Sequence, residues 1–173
     1  KDLTSREISN PYDLSIPSEW FCIPLEYLSD FITKGTTPKS SELFADNGDV
    51  PFIKVYNLTF NGELDFSVSP TFVSIETHKN FLQRSIIYPN DILMNIVGPP
   101  LGKVSIVPDT YPEWNMNQAM VRFRPVNSVL PKFLANYLMM ARTIHQVSKK
   151  AKATAGQFNL TLQICREIIL PVC

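Results

Sequence analysis

Cysteine is scarce in this chain and badly placed for cross-linking: Cys22, Cys165 and Cys173 are odd in number and form no CxxC pair. That spacing argues against a disulfide framework or a zinc ribbon and points to a reducing, cytoplasmic setting. Histidine is scarcer still. His78 falls in an expected loop and His145 beside the apolar face of an expected helix, and neither has a partner at HxH or HxxxH spacing, so no metal centre is indicated. The GxSxG, P-loop and GxGxxG motifs are missing, as is the spaced acid–acid–Lys cluster with which a metal-dependent nuclease holds Mg²⁺. Gly98-Pro99-Pro100 lacks the Asn or Asp before the prolines, and the aromatic after them, that the NPP-type motif of a DNA methyltransferase carries, and it reads as a rigid turn. Neither an enzyme nor a cofactor is therefore expected. No apolar run approaches the length of a membrane-spanning helix, and the opening KDLTSREISN has no greasy core, so neither a membrane span nor a secretory signal is indicated.

The most informative shortage is of one charge sign. From Trp114 to Arg166 there is no Asp or Glu in 53 residues, yet the same stretch holds eight of the sixteen basic side chains. A chain of zero formal charge is thus a −7 segment followed by a +8 segment and a final −1 from Glu167. A one-signed stretch creates a local potential that attracts polyanions, so nucleic acid is the first partner to consider. The competing reading is that these cations are only the solvated face of a helix and its surroundings.

At 173 residues and 45% hydrophobic content the chain suits one domain with a sizeable core. Fourteen prolines and eleven phenylalanines against six glycines suggest a loop-rich fold with aromatic filling. Residues 1–19 are polar and proline-broken and read as a linker or arm leading into a domain over 20–173. Because the sequence begins at Lys1 and stops after REIILPVC, a domain cut from a longer polypeptide is expected.

Leu25, Leu28 and Ile32 recur at helical spacing behind Pro24, with Gly35 where a helix end favours positive φ, which predicts a short helix at about 24–33. VPFIKVYNLTF is β-branched and aromatic, Asn61-Gly62 is a hairpin signal, and LDFSVSPTFVSI alternates, so 50–75 is expected to be β-rich. Further strands are expected within 85–107 and at 118–124. After Pro131, apolar residues at spacings of three and four from Phe133 to Ile144 and on toward Val147 predict one long helix, with Lys149, Lys150 and Lys152 at its C-terminal end, where cations complement the dipole. A last short strand or buried run is expected through Ile168–Leu170. The fold class expected is α+β: a single domain with a curved mixed or antiparallel sheet and one short and one long packed helix.

Four loop motifs combine small residues with amides, hydroxyls or a lysine: Gly35-Thr36-Thr37-Pro38, Val97–Lys103, Asn115–Gln118 and Ala155–Thr161. Small residues let backbone approach a ligand closely. Asn and Gln pair bidentately with adenine, Lys and Arg with guanine, and hydroxyls serve base or phosphate. Each loop also has a structural reading, since Asn and Gly are ordinary turn residues and Gln118 could cap a strand.

Taken in order, PYDLSIPSEW, LEYLSDFITKGTTP, PFIKVYNL, YPNDILMNIVGPPLGKVSIV, NMNQAMVRFRP, the long helix before ATAGQFNLT, and IILPV resemble a target recognition domain of the specificity subunit of type I restriction–modification enzymes, over about Tyr12 to Val172. The resemblance implies double-stranded DNA as the partner, with each of two such domains reading one half of a split target. It also implies that methylation and cleavage belong to separate modification and restriction subunits, reached through the full-length specificity subunit, and that the chain stops before the family's conserved spacer helix. The base-reading candidates are Thr36, Thr37, Asn57, Asn117, Gln157 and Asn159. The phosphate candidates are Lys39, Lys54, Lys103, Arg142, Lys149, Lys150 and Lys152. The alternative from another class is a protein-interaction or scaffolding module that docks its partner through exposed aromatics.

Overall fold

Short strands buried on both faces, more than helical periodicity, organise this chain. The computed structural model describes residues 16–46, 48–154 and 157–173, with residues 152–154 and 157 described by backbone alone. Most of the expected arm, Asn47, and Ala155 and Gly156 lie outside the described residues. The elements run β1 (Phe21–Pro24), β2 (Ser29–Lys34), β3 (Val50–Ile53), β4 (Phe72–Val73), α1 (Ile75–Lys79), β5 (Ile86–Ile87), β6 (Ile92–Asn95), β7 (Val97–Gly98), β8 (Val104–Ile106), β9 (Trp114–Met116), β10 (Met120–Pro125), α2 (Pro131–Met139), α3 (Ala141–Lys150), β11 (Lys152–Thr154), β12 (Gln157–Asn159), α4 (Leu162–Arg166) and β13 (Ile169–Val172).

The central sheet has the order β2-β10-β6-β8, with every pair antiparallel. Its two faces bury different partners. Ile32, Ile92, Met94, Val121 and Phe123 point to the main core, where Leu134, Ala135, Tyr137 and Leu138 of α2 cover them. Leu93 and Met120 point the other way, into a second core with Ile53, Ile87, Trp114 and Met116. That second core is closed by a mixed sheet of order β4-β3-β9-β5, in which β3 and β9 run parallel. A ribbon β11-β12-β7 and the pair β1-β13 complete the fold. The class is α+β, as expected, but the strands are short and fall into several sheets, because prolines and side-chain-capped loops interrupt the ladders.

Four local expectations are corrected. Residues 24–33 do not form a helix: one 3-10 turn at Leu25–Tyr27 is followed by β2, which pairs Phe31 with Arg124 and Thr33 with Arg122. The β-branched Ile32-Thr33 favours an extended chain, and burying Ile32 against the main core outweighs the weak helical spacing. The long helix is broken at Met140, whose ψ of 130° is extended. The break rephases the second segment so that Thr143 and Val147, one turn apart, become its buried positions.

Within 50–75, residues between Leu64 and Phe72 form turns instead of a strand. Asp65 Oδ1 accepts from the N–H and hydroxyl of Ser67, and Asn57 Nδ2 donates to the carbonyls of Asp65 and Val68. These local bonds replace ladder bonds. Finally, α1 and α4 were not foreseen. Their marks are the N-caps Ser74 and Thr161, whose hydroxyls accept from Thr77 N–H at 3.1 Å and Ile164 N–H at 3.2 Å. His78 accordingly sits in α1, not in a loop.

Candidate nucleic-acid interface

The ends of β2, β10, β6 and β8 lie at one level of the central sheet, and the loops that leave them are the motifs singled out in the sequence. Gly35 N–H donates to Met120 O at 3.1 Å, Met120 pairs with Asn95, and Asn95 N–H donates to Lys103 O at 3.1 Å. Just beyond this row, Thr36 N–H donates to Met116 O at 3.2 Å, Ile96 N–H to Ala119 O at 2.9 Å, and Leu160 N–H to Ile96 O at 2.9 Å. β12 then continues the row, with Asn159 opposite Val97 and Phe158 opposite Gly98. Segments as far apart in sequence as Gly35 and Leu160 thus meet along a single edge.

Gly35 makes the first of these contacts possible. A Cβ there would lie 2.1 Å from Asn117 O and 2.4 Å from Met116 O, so close backbone approach, and not a helix end, is what requires glycine. Thr36 and Thr37 are half-buried, and Thr37 Oγ1 accepts from Gln118 N–H at 3.3 Å. Asn117 is half-buried; its N–H donates to Ile53 O at 3.0 Å and its Oδ1 accepts from Ala119 N–H at 3.3 Å. These bonds leave the Asn117 Nδ2 group without a partner among the described residues. Asn159 is exposed on β12. Gln157 and Lys152 are placed in β12 and β11 by their backbones, and their side chains lie outside the described residues.

Asn57 is different and is withdrawn as a base reader. It is 1% exposed, accepts from Lys54 N–H at 2.9 Å, and donates to Asp65 O at 3.0 Å and Val68 O at 2.8 Å. Both ends of its amide hold the 54–68 loop together, leaving nothing for a base edge.

Among the cations, Lys39 is exposed beside the Thr36-Thr37 loop. Lys54 and Lys103 are half-buried, each with Nζ 5.8 Å from an exposed ring, Tyr56 and Phe60 respectively. Sequence reading overlooked these two aromatics on the same edge. Arg142, His145 and Lys149 are exposed along one stripe of α3 at spacings of three and four, and Lys150 lies 4.0 Å from Glu167. Ile144 of the same helix backs the Val97–Lys103 loop: a Cβ on Gly102 would lie 3.1 Å from its side chain.

The acid-free segment is less cationic on its surface than in its composition. Arg124 grips Asp91 with two bonds, Nε to Oδ1 at 2.8 Å and Nη2 to Oδ2 at 2.7 Å. Arg122 is buried 4.0 Å from the same carboxylate, bonded to Ile86 O and stacked 4.7 Å from the Phe31 ring. Burial lowers the Arg122 pKa to about 10, whereas the hydrogen bond to Asp91 raises that of Arg124. Both arginines serve the interior. Burial also pushes the Cys165 thiol up to about 12, so it stays protonated at neutral pH. Among the described residues there is no cluster of His, Cys, Asp and Glu that could hold a metal ion, and no helix long and apolar enough to cross a membrane.

Solved structures share this arrangement of elements. A chain from a study of complex assembly and conformational transition in the type I R-M system superposes with a TM-score of 0.69 at 18% identity, over 94% of this chain and 36% of that one. The HsdS subunit from Thermoanaerobacter tengcongensis gives 0.66 at 18% identity, over 92% and 34%. The type I restriction–modification S subunit from M. genitalium gives 0.57 at 13% identity, over 92% and 36%. The present chain therefore spans about a third of each of those chains, and at these identities the likeness is one of fold. Sequence supplies the family: the profile of the type I restriction modification DNA specificity domain matches residues 17–172, and the chain belongs to that family.

Proposed function

We propose that this domain recognises double-stranded DNA sequence-specifically, as the non-catalytic half-site module of a type I restriction–modification specificity subunit. In this reading Thr36, Thr37, Asn117, Gln157 and Asn159 face base edges, while Lys39, Lys54, Lys103, Arg142, Lys149, Lys150 and Lys152 hold or steer phosphates. Modification and restriction subunits act through the full-length specificity subunit, in a cytoplasmic setting. The observation that supports the reading is the convergence of the Gly35–Pro38, Val97–Lys103 and Asn115–Gln118 loops, with Phe158–Leu160 paired beside them, on one sheet edge that also carries lysines and adjoins a basic stripe on α3.

Readers and anchors differ in what their loss does. Asn117→Ala or Asn159→Ala is expected to weaken the preferred site by about 1–3 kcal/mol and relax the choice at one base position. Lys149→Ala is expected to weaken all duplexes alike and to make the salt slope shallower by about one unit. Fluorescence anisotropy titrations on preferred and scrambled duplexes separate the two. Amide variants that keep full affinity and an unaltered preference remove these residues from base reading.

A further inference from the structure

Asn95 ends β6 at the centre of the proposed reading edge and is 1% exposed, so it is shielded from a DNA duplex. Its amide is nevertheless fully engaged with the loop that follows. Nδ2 donates to Val97 O at 3.1 Å and to Pro100 O at 2.9 Å, and Oδ1 accepts from Gly102 N–H at 3.1 Å and Lys103 N–H at 2.9 Å. Two donors and two acceptor sites are the whole capacity of a primary amide. An Asp would turn an oxygen toward two carbonyls, and a Leu would leave four backbone groups unpaired in a poorly solvated place.

Two candidate residues depend on what this side chain holds. Val97 is the register partner of Asn159, and Lys103 donates one of the four bonds through its N–H and carries its Nζ out beside Phe60. The loop has little freedom elsewhere: a Cβ on Gly98 would lie 2.8 Å from Pro100 backbone, and Gly102 has φ of +101° with Ile144 behind it. A single buried amide thus fixes the relative position of a base candidate and a phosphate candidate. Base discrimination tolerates displacements of only about half an ångström in the groups that make it, and a loop already ordered loses less entropy on binding.

We propose that Asn95 is a positioning residue for sequence recognition: without touching DNA, it sets the base choice made by the Val97–Lys103 loop and by the β12 edge paired to it. The inference rests on the DNA-reading proposal above. The test uses Asn95→Asp, which keeps both acceptor bonds and loses both donors, and the milder Asn95→Ser, each checked for cooperative thermal unfolding. Wild type and variants are put through selection from a random duplex library, and binding to the wild-type preferred duplex and to a scrambled one is titrated across salt concentrations. The expected result is a folded variant whose preference falls about tenfold or more at the position that Asn159→Ala also relaxes, with scrambled-duplex affinity changed much less. Native-state exchange of the Gly102 and Lys103 amides should accelerate in the same variants without DNA. Folded Asn95 variants with wild-type base preference overturn the inference and leave the DNA reading intact. A uniform loss on all duplexes assigns Asn95 a merely structural role and overturns it too. Failure of the wild type to enrich any duplex brings down the DNA reading, and this inference with it.

Discussion

Replacing Asp91 with Ala is expected to cost about 3–5 kcal/mol of stability, because it strands two guanidiniums that now share one buried carboxylate. Asp91 is 2% exposed, takes two bonds from Arg124, lies 4.0 Å from Arg122 and accepts from Tyr88 N–H at 2.9 Å. Removing it leaves Arg122 buried with a like charge beside it, bonded to the Ile86 carbonyl and stacked on the Phe31 ring. For a domain of this size the loss corresponds to a fall of about 6–20 °C in melting temperature. Chemical denaturation of Asp91→Ala against wild type measures it. A loss below about 1 kcal/mol would mean that solvent screens the cluster and that Arg124, whose side chain is 30% exposed, remains available to DNA.

Raising salt from about 50 to 200 mM is expected to lower affinity for duplex DNA about a thousandfold, if about six of the proposed phosphate cations release counterions on binding. This expectation differs from one drawn from composition alone, since Arg122 and Arg124 are committed to Asp91 and drop out of the count. The domain by itself is expected to bind weakly at physiological salt for the same reason. Affinity unaffected by salt, together with loss of binding when exposed rings such as Phe60 or Tyr56 are removed, would favour a protein-docking module instead.

The parts of this fold that were legible in sequence are those written in contiguous residues. The buried strand ILMN, the strand MVRFRP, the closing IILPV and the proline-led start of α2 were all foreseeable from runs or caps. The loops were legible as motifs too, because Gly-Thr-Thr-Pro and Asn-Met-Asn-Gln are chemically conspicuous. What could not be read was pairing at a distance. The Asp91–Arg124 grip spans 33 positions, and nothing in a local window distinguishes a paired arginine from one that meets phosphate. Asn57 and Asn117 illustrate the same limit: both follow a strand, yet the first is enclosed by its own loop with both ends of its amide bonded, whereas the second is half-buried with its Oδ1 bonded to Ala119 N–H. The predicted helix at 24–33 failed because three leucine-type residues at helical spacing are weak evidence against a partner strand ninety residues away.

The central claim is that the sheet edge built from Thr36-Thr37, Asn117, Val97–Lys103 and Asn159 reads duplex sequence. It is tested most directly by incubating the wild-type domain at low salt with a random double-stranded library and sequencing what is retained over successive rounds. The account predicts enrichment of one short, defined motif in duplex form, which free competitor of that sequence displaces better than scrambled competitor. Retention without any enriched motif, or equal capture of single strands, would contradict it.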